Sequence, residues 1–254
     1  DEFLMHAEKA LGLPINVISG VEEARLIYQG VARDFTPGDK TRLVVDIGGG
    51  STELVLGRAK PLQLESLYMG CVSFSRRFFP DGKLTRRNYD RAVLAVRGEL
   101  QSIASRFDIG HWDEAVGSSG TIRGIERVLD AMGLIRHHII TPDGLNALAD
   151  AMVDCRHIDY LQLPELDEDR RLVLPGGLAV LHGVFQELGV DAMHASMYTI
   201  REGIIYDLAG QLHRRDTRVA TIEHMVEQYR VDRDQARRVG RLALSLLGQV
   251  ERQI

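Results

Sequence analysis

The residues best equipped for chemistry lie between Leu43 and Gly57, in the stretch LVVDIGGGSTELVLG. Asp46 ends an apolar run. Gly48, Gly49 and Gly50 follow, then the hydroxyls of Ser51 and Thr52 and a second acid, Glu53. Glycines let backbone N–H groups approach an anion closely, because no side chain intervenes. Ser51 and Thr52 add hydroxyl donors, and Asp46 and Glu53 are hard oxygen ligands suited to magnesium bridging a phosphate. Parity decides whether the two acids act together. A four-residue loop over 47–50 sets Asp46 opposite Ser51 and leaves Glu53 on the same side of the sheet. A three-residue loop turns Glu53 away. A tight hairpin with solvated acids is the alternative reading. No lysine stands where a Walker A loop needs one, so this is not a P-loop.

A second stretch, VGSSGTIRG, ends a strand in small residues and enters a helix at once. Gly117, Ser118, Ser119, Gly120 and Thr121 there present N–H groups and hydroxyls at a helix N-terminus, where the dipole favours an anion. In NVISGVEEARLIYQGV, Glu22 and Glu23 occupy the first turn of a helix, where acids are favourable for structural reasons alone. The functional reading is that one of them directs a carboxylate at a water beside the phosphate, as general base.

These residues need elements to hold them. Apolar spacing predicts a helix over 3–11, a short strand at 15–19 (INVIS) and a helix over 22–31, with a loop over 34–40. RLVVDI, STELVLG and LQLESL are strands around the triple glycine. A helix over 73–79, a long helix over 85–107, a strand at DEAVG and a helix after GSSG follow. Another helix starts at Thr141–Pro142, two more lie within 163–189, DAMHAS is a strand and REGIIYDLAG its helix. From His213 the pattern is helical throughout, over 218–231 and 232–250. A hairpin followed by strand–helix alternation predicts an α/β fold, a mixed sheet covered by helices on both faces.

Composition fits this. The chain has 254 residues, 44% hydrophobic and 26% charged, with a net charge of −5. That charge argues against a general nucleic-acid coat and leaves room for a locally held anion. No apolar run is long enough to span a bilayer, and no signal-peptide pattern opens the chain. Two distant cysteines, Cys71 and Cys155, point to a reducing compartment and away from zinc. A cytoplasmic protein, with peripheral membrane association as a variant, is the expectation. His137 and His138 sit in a loop and are read as solvated.

Five separated segments, VISGVEEARLIYQGV, VVDIGGGSTELVLG, MGCVSF, GSSGTIRG and REGIIYDL, resemble the exopolyphosphatase and guanosine pentaphosphate phosphatase family, in order and across nearly the whole chain. The resemblance implies an actin-like phosphotransferase with a ribonuclease H-like fold. It implies magnesium-dependent hydrolysis of phosphoanhydride bonds, in polyphosphate or at the 5′ γ-phosphate of guanosine pentaphosphate, by a protein that is a homodimer when intact. Carried onto this sequence, Glu23 becomes the catalytic base, and Asp46 and Glu53 the magnesium and phosphate-site acids. Gly48, Gly49, Gly50, Ser51 and Thr52 become the phosphate loop, and Gly117 to Thr121 a second one. Arg170 and Arg201 are further candidates for phosphate contacts. Leu67 and Tyr68 stand where some relatives carry arginines.

The same resemblance divides the chain into the end of a first lobe (1–26), a second lobe (27–211) and the start of a helical, HD-like domain (212–254). His213 and Asp216 there form no adjacent His–Asp pair, so no metal is assigned to them. The chain reads as a fragment without the first-lobe hairpin, expected by itself to hydrolyse nothing at a useful rate. A kinase of the same superfamily and a non-hydrolysing sensor of guanosine polyphosphates are the competing readings.

Overall fold

The computed structural model describes residues 2–35, 40–212, 222, 225–226 and 229–250. The chain divides into two units, Asp1–Tyr206 and Asp207–Ile254. Helices α1 (Glu2–Leu11) and α2 (Gly20–Val31) precede the strands β1 (Arg42–Ile47), β2 (Thr52–Gly57) and β3 (Pro61–Leu67). Helices α3 (Cys71–Phe78), α4 (Arg86–Leu100) and α5 (Ala104–Phe107) follow, then β4 (Glu114–Ser118), α6 (Ser119–Ala131) and β5 (Ile139–Ile140). Next come α7 (Pro142–Asp154), α8 (Glu168–Arg171), α9 (Leu174–Leu188), β6 (Met193–Ala195) and α10 (Ile200–Leu212). The second unit contains α11 (Arg233–Val250).

The six strands lie in the order β3-β2-β1-β4-β6-β5. β1, β2 and β3 form an antiparallel meander, β4 runs parallel to β1 and β6 parallel to β4, and β5 pairs antiparallel at the edge. β1 is buried along its whole length. A central strand covered on both faces favours apolar side chains on both, which is why Leu43–Val45 read as a continuous apolar run, with Arg42 and Asp46 at its two ends. Alternation then splits the side chains. Leu43, Val45, Ile47, Leu54 and Leu56 enter the larger core with α3, α4, α6, α7 and α9. Val44, Val55, Leu64 and Val116 meet Ala24, Ile27, Tyr28 and Val31 of α2 on the opposite face. This is the ribonuclease H-like, actin-like lobe expected from the sequence.

Three local expectations change. Residues 15–19 are not a strand, and Val17 and Ile18 are exposed. A strand exists only through its ladder, and no strand among the described residues pairs with this segment. The helix expected over 85–107 breaks after Leu100, where Ile103 leaves helical geometry. The tight turn seats Ile103 and Phe107 in the larger core, so packing overrides the helical period. The edge strand β5 is too short to stand out in the sequence, whereas His138 beside it is exposed as expected, with Nδ1 2.7 Å from Glu126 Oε1. The centre of the 34–40 loop, most of the 218–231 helix, His213 and Asp216 lie outside the described residues.

Candidate functional site

The hairpin between β1 and β2 closes with Ile47 opposite Thr52, so its loop is Gly48–Ser51, one residue later than expected. Asp46 therefore stands directly opposite Glu53 rather than Ser51. The two acids still share a face, as cross-strand partners must, and it is the α2 face. The loop is fastened by its carbonyls. Cys71 N–H donates to Gly48 O at 2.9 Å, and Val72 and Ser73 N–H donate to Gly49 O at 3.0 and 3.1 Å. Gly70 makes this seat possible, since a methyl group there would lie 2.4 Å from the Gly49 carbonyl. Among the described residues, the N–H groups of Gly49, Gly50 and Ser51 donate to no protein acceptor, and Gly49 and Gly50 are exposed. Thr52 is different: its hydroxyl is buried and donates to Met69 O.

Glu53 is 1% exposed and Asp46 9%. Burial pushes Asp46 up to about 6, with the Ser118 hydroxyl pulling it down and the Glu23 charge pushing it further up. Burial likewise pushes Glu53 up to about 7, opposed by the Ser51 and Ser66 hydroxyls and reinforced by the charges of Glu23 and Asp46. Ser66 on β3 stands opposite Glu53 and donates to its Oε1 at 2.9 Å, while the buried Oε2 has no hydrogen-bond partner among the described residues.

Glu23 arrives from α2, whose first turn is fixed by Ser19, the Glu22 N–H donating to Ser19 Oγ at 3.3 Å. Glu22 is held by Arg25 in a two-pronged ion pair, Nε to Oε2 at 2.9 Å and Nη2 to Oε1 at 2.8 Å. Glu23 is half-buried, and among the described residues no hydrogen bond or ion pair engages its carboxylate. Its field reaches both Asp46 and Glu53. Three acids thus gather at one end of the sheet.

The turn from β4 into α6 lies beside them, because Ser118 is in register with Asp46. The Ser118 hydroxyl donates to Tyr198 O at 3.2 Å. Ser119 is held at φ +92°, and its Oγ accepts the Ile122 N–H at 3.3 Å. Gly117 O accepts the Ser196 N–H at 2.8 Å, tying the turn to the end of β6. Gly120 and Thr121 lie in the first helical turn, whose N–H groups have no partner within the helix. Arg170 lies over that turn, its guanidinium 2.2 Å from where a Gly120 methyl group would sit. Arg201 is exposed at the start of α10, and no hydrogen bond or ion pair joins it to either loop.

Two contributors escaped sequence inspection. Ser66 becomes visible only once β3 is in register with β2. Arg25 was legible as the residue three places after Glu22, the spacing of neighbours on a helix.

For a magnesium ion, the donor set fits in kind: Asp46 would offer a hard oxygen, and Glu53 presents a buried oxygen without a hydrogen-bond partner among the described residues. No group of three acids, histidines or cysteines at metal-holding distance occurs among the described residues. Magnesium commonly takes only one or two carboxylates and completes its shell with water and substrate phosphate.

The model of the Ppx/GppA phosphatase family matches residues 1–212. Among solved structures, an exopolyphosphatase-like protein is 25% identical, with TM-score 0.71 over 83% of this chain and 73% of that one. The Aquifex aeolicus PPX-GPPA enzyme is 24% identical, with TM-score 0.64 over 80% and 69%. An exopolyphosphatase from Cytophaga hutchinsonii is 19% identical, with TM-score 0.67 over 82% and 69%. The last two likenesses speak for the fold. The family match runs through both loops, the three acids and the elements that position them, and so the chain belongs to the Ppx/GppA phosphatase family.

Proposed function

We propose that this protein hydrolyses terminal phosphoanhydride bonds, in inorganic polyphosphate or at the 5′ end of guanosine pentaphosphate, with magnesium as cofactor. One observation carries the reading: Glu23, whose carboxylate no described residue engages, stands beside two buried acids and a loop whose N–H groups are open among the described residues. The names of the similar structures support the same class of reaction.

In this mechanism Glu23 accepts a proton from the attacking water. The water oxygen bonds to the terminal phosphorus as the bridging P–O bond breaks. Phosphate leaves, and the chain or nucleotide is one phosphate shorter. The N–H groups of Gly49, Gly50 and Ser51 meet the negative oxygens, and the first turn of α6 with Arg170 meets them from the side. Asp46 and Glu53 would hold magnesium, which when bound neutralises phosphate charge. Such sites act by positioning and electrostatics rather than covalent chemistry.

The test is phosphate release by the full-length protein from each substrate with magnesium. Glu23→Gln should lower turnover about 10²–10⁴-fold with little change in substrate binding. Near-normal turnover in that variant would remove Glu23 as base. Phosphate found on an acceptor would make the reaction a transfer, and binding without turnover would make the protein a sensor.

A further inference from the structure

Two glutamates stand side by side at the start of α2, yet the proposed reaction uses one. We propose that Arg25 is a positioning residue that sorts them: it neutralises Glu22 and holds it along the flank of α2, leaving Glu23 as the one acid of the pair that faces Asp46 and Glu53. This inference rests on the reading of Glu23 given above.

Helix geometry makes the choice. Residues three and four apart lie on one stripe, whereas residues two apart face different ways. Arg25 is three places from Glu22 and two from Glu23, so of the two glutamates Glu22 is the one its guanidinium meets. Arg25 Nη1 also donates to Gln29 Oε1 at 2.9 Å, four places on. Glu22, Arg25 and Gln29 therefore form one polar stripe. Glu23 shares the other stripe with Ile27, which packs on the sheet face that carries Asp46 and Glu53.

Burial gives the pair its strength. The Arg25 side chain is 3% exposed and that of Glu22 28%, so the guanidinium is fixed by packing and its fork matches the carboxylate. The electrostatics agree, since the Glu23 charge pushes both Asp46 and Glu53 upward. The consequence concerns the substrate. A phosphoanhydride chain is a polyanion, and three acids already face it. A released Glu22 would add a fourth negative charge at the same edge.

The experiment uses the full-length protein and measures kcat and KM at low and high ionic strength, at a temperature where circular dichroism shows each variant folded. Arg25→Met keeps the length of the stem and removes the charge. It should raise KM about tenfold at low salt, because an unscreened like charge repels the substrate, and the defect should shrink at high salt. Adding Glu22→Gln should return KM to within about twofold of the parent, since the carboxylate that repels the substrate is then gone. Arg25→Lys keeps the charge without the fork and should give a smaller rise, also reversed by Glu22→Gln; it serves if Arg25→Met does not fold. A defect that Glu22→Gln does not reverse, or that salt does not change, reduces Arg25 to a support for the helix. Unchanged kinetics in both Arg25 variants overturns the proposal as well. Normal turnover in Glu23→Gln would strike the catalytic reading instead, leaving the KM and salt results of the Arg25 series to stand or fall separately.

Discussion

The Gly48–Ser51 hairpin and the Ser118–Thr121 turn look alike in sequence, each a strand running into glycines and hydroxyls, but they are built in opposite ways. The hairpin gives its carbonyls to α3 and, among the described residues, leaves three N–H groups open. It is a cradle of backbone donors without strained residues. The turn commits its serine hydroxyls inward, to Tyr198 O and the Ile122 N–H, carries the strain of Ser119 at φ +92°, and is overlain by Arg170. It offers a helix terminus and a cation. Ser118 even serves the hairpin, because its hydroxyl beside Asp46 opposes the upward push of burial on that acid. Glycine–hydroxyl runs therefore do not specify which polar groups reach a ligand; the partners of those groups do.

The largest contrast is expected from adding one methyl group to each region. Gly70→Ala would place Cβ 2.4 Å from the Gly49 carbonyl, which is backbone and cannot step aside. The hairpin must shift, and displacement of a positioning loop can cost about 10²-fold in turnover. For Gly120→Ala the nearest atoms are those at the end of the Arg170 side chain, which can swing away, and turnover should fall only a few-fold. Phosphate-release kinetics of the two variants, side by side, test this. Equal losses would erase the distinction between the regions.

Next in size is the pH dependence of stability, which the hairpin acids should dominate. Asp46 rises from 3.8 to about 6 and Glu53 from 4.5 to about 7 on folding. Raised values mean that the folded state holds these protons more tightly. Stability is therefore greatest below the unfolded values, about 4, and falls by a few kcal/mol as pH climbs through 7. Urea unfolding at pH 5, 6, 7 and 8 should show this loss. Asp46→Asn with Glu53→Gln should flatten it and be more stable than the parent at pH 8. Magnesium should stabilise the parent at pH 8 and much less at pH 5, where the acids are protonated. A pH-independent parent would mean that the acids are not buried as a pair.

The smallest effect belongs to the turn. Ser119→Gly relieves a backbone conformation that costs about 1–3 kcal/mol in a non-glycine residue, at the loss of one weak cap. Ser119→Ala keeps the strain and loses the cap. Thermal unfolding should rank glycine at or above serine, and alanine below by about 1 kcal/mol. Alanine matching serine would show that the cap contributes nothing.

The sequence by itself determined the local structure. Branched residues over 43–45 demand a strand, Thr141 caps a helix, and with a four-residue loop the period of two places Asp46 and Glu53 on one face whether that loop starts at 47 or 48. It also held, unread, the spacing that pairs Arg25 with Glu22. These features follow from chain geometry within a few residues, which no packing partner can change. The tertiary structure decided the rest. It left residues 15–19 without a ladder and broke the 85–107 helix to bury Ile103 and Phe107. It shifted the hairpin by one residue and turned the Thr52 hydroxyl to Met69. It set Ser66 against Glu53, and it raised two ordinary acids by burying them beside Glu23. Each of these depends on which distant groups share water-free space, and such partners are fixed only when the sheet and its helices close around them.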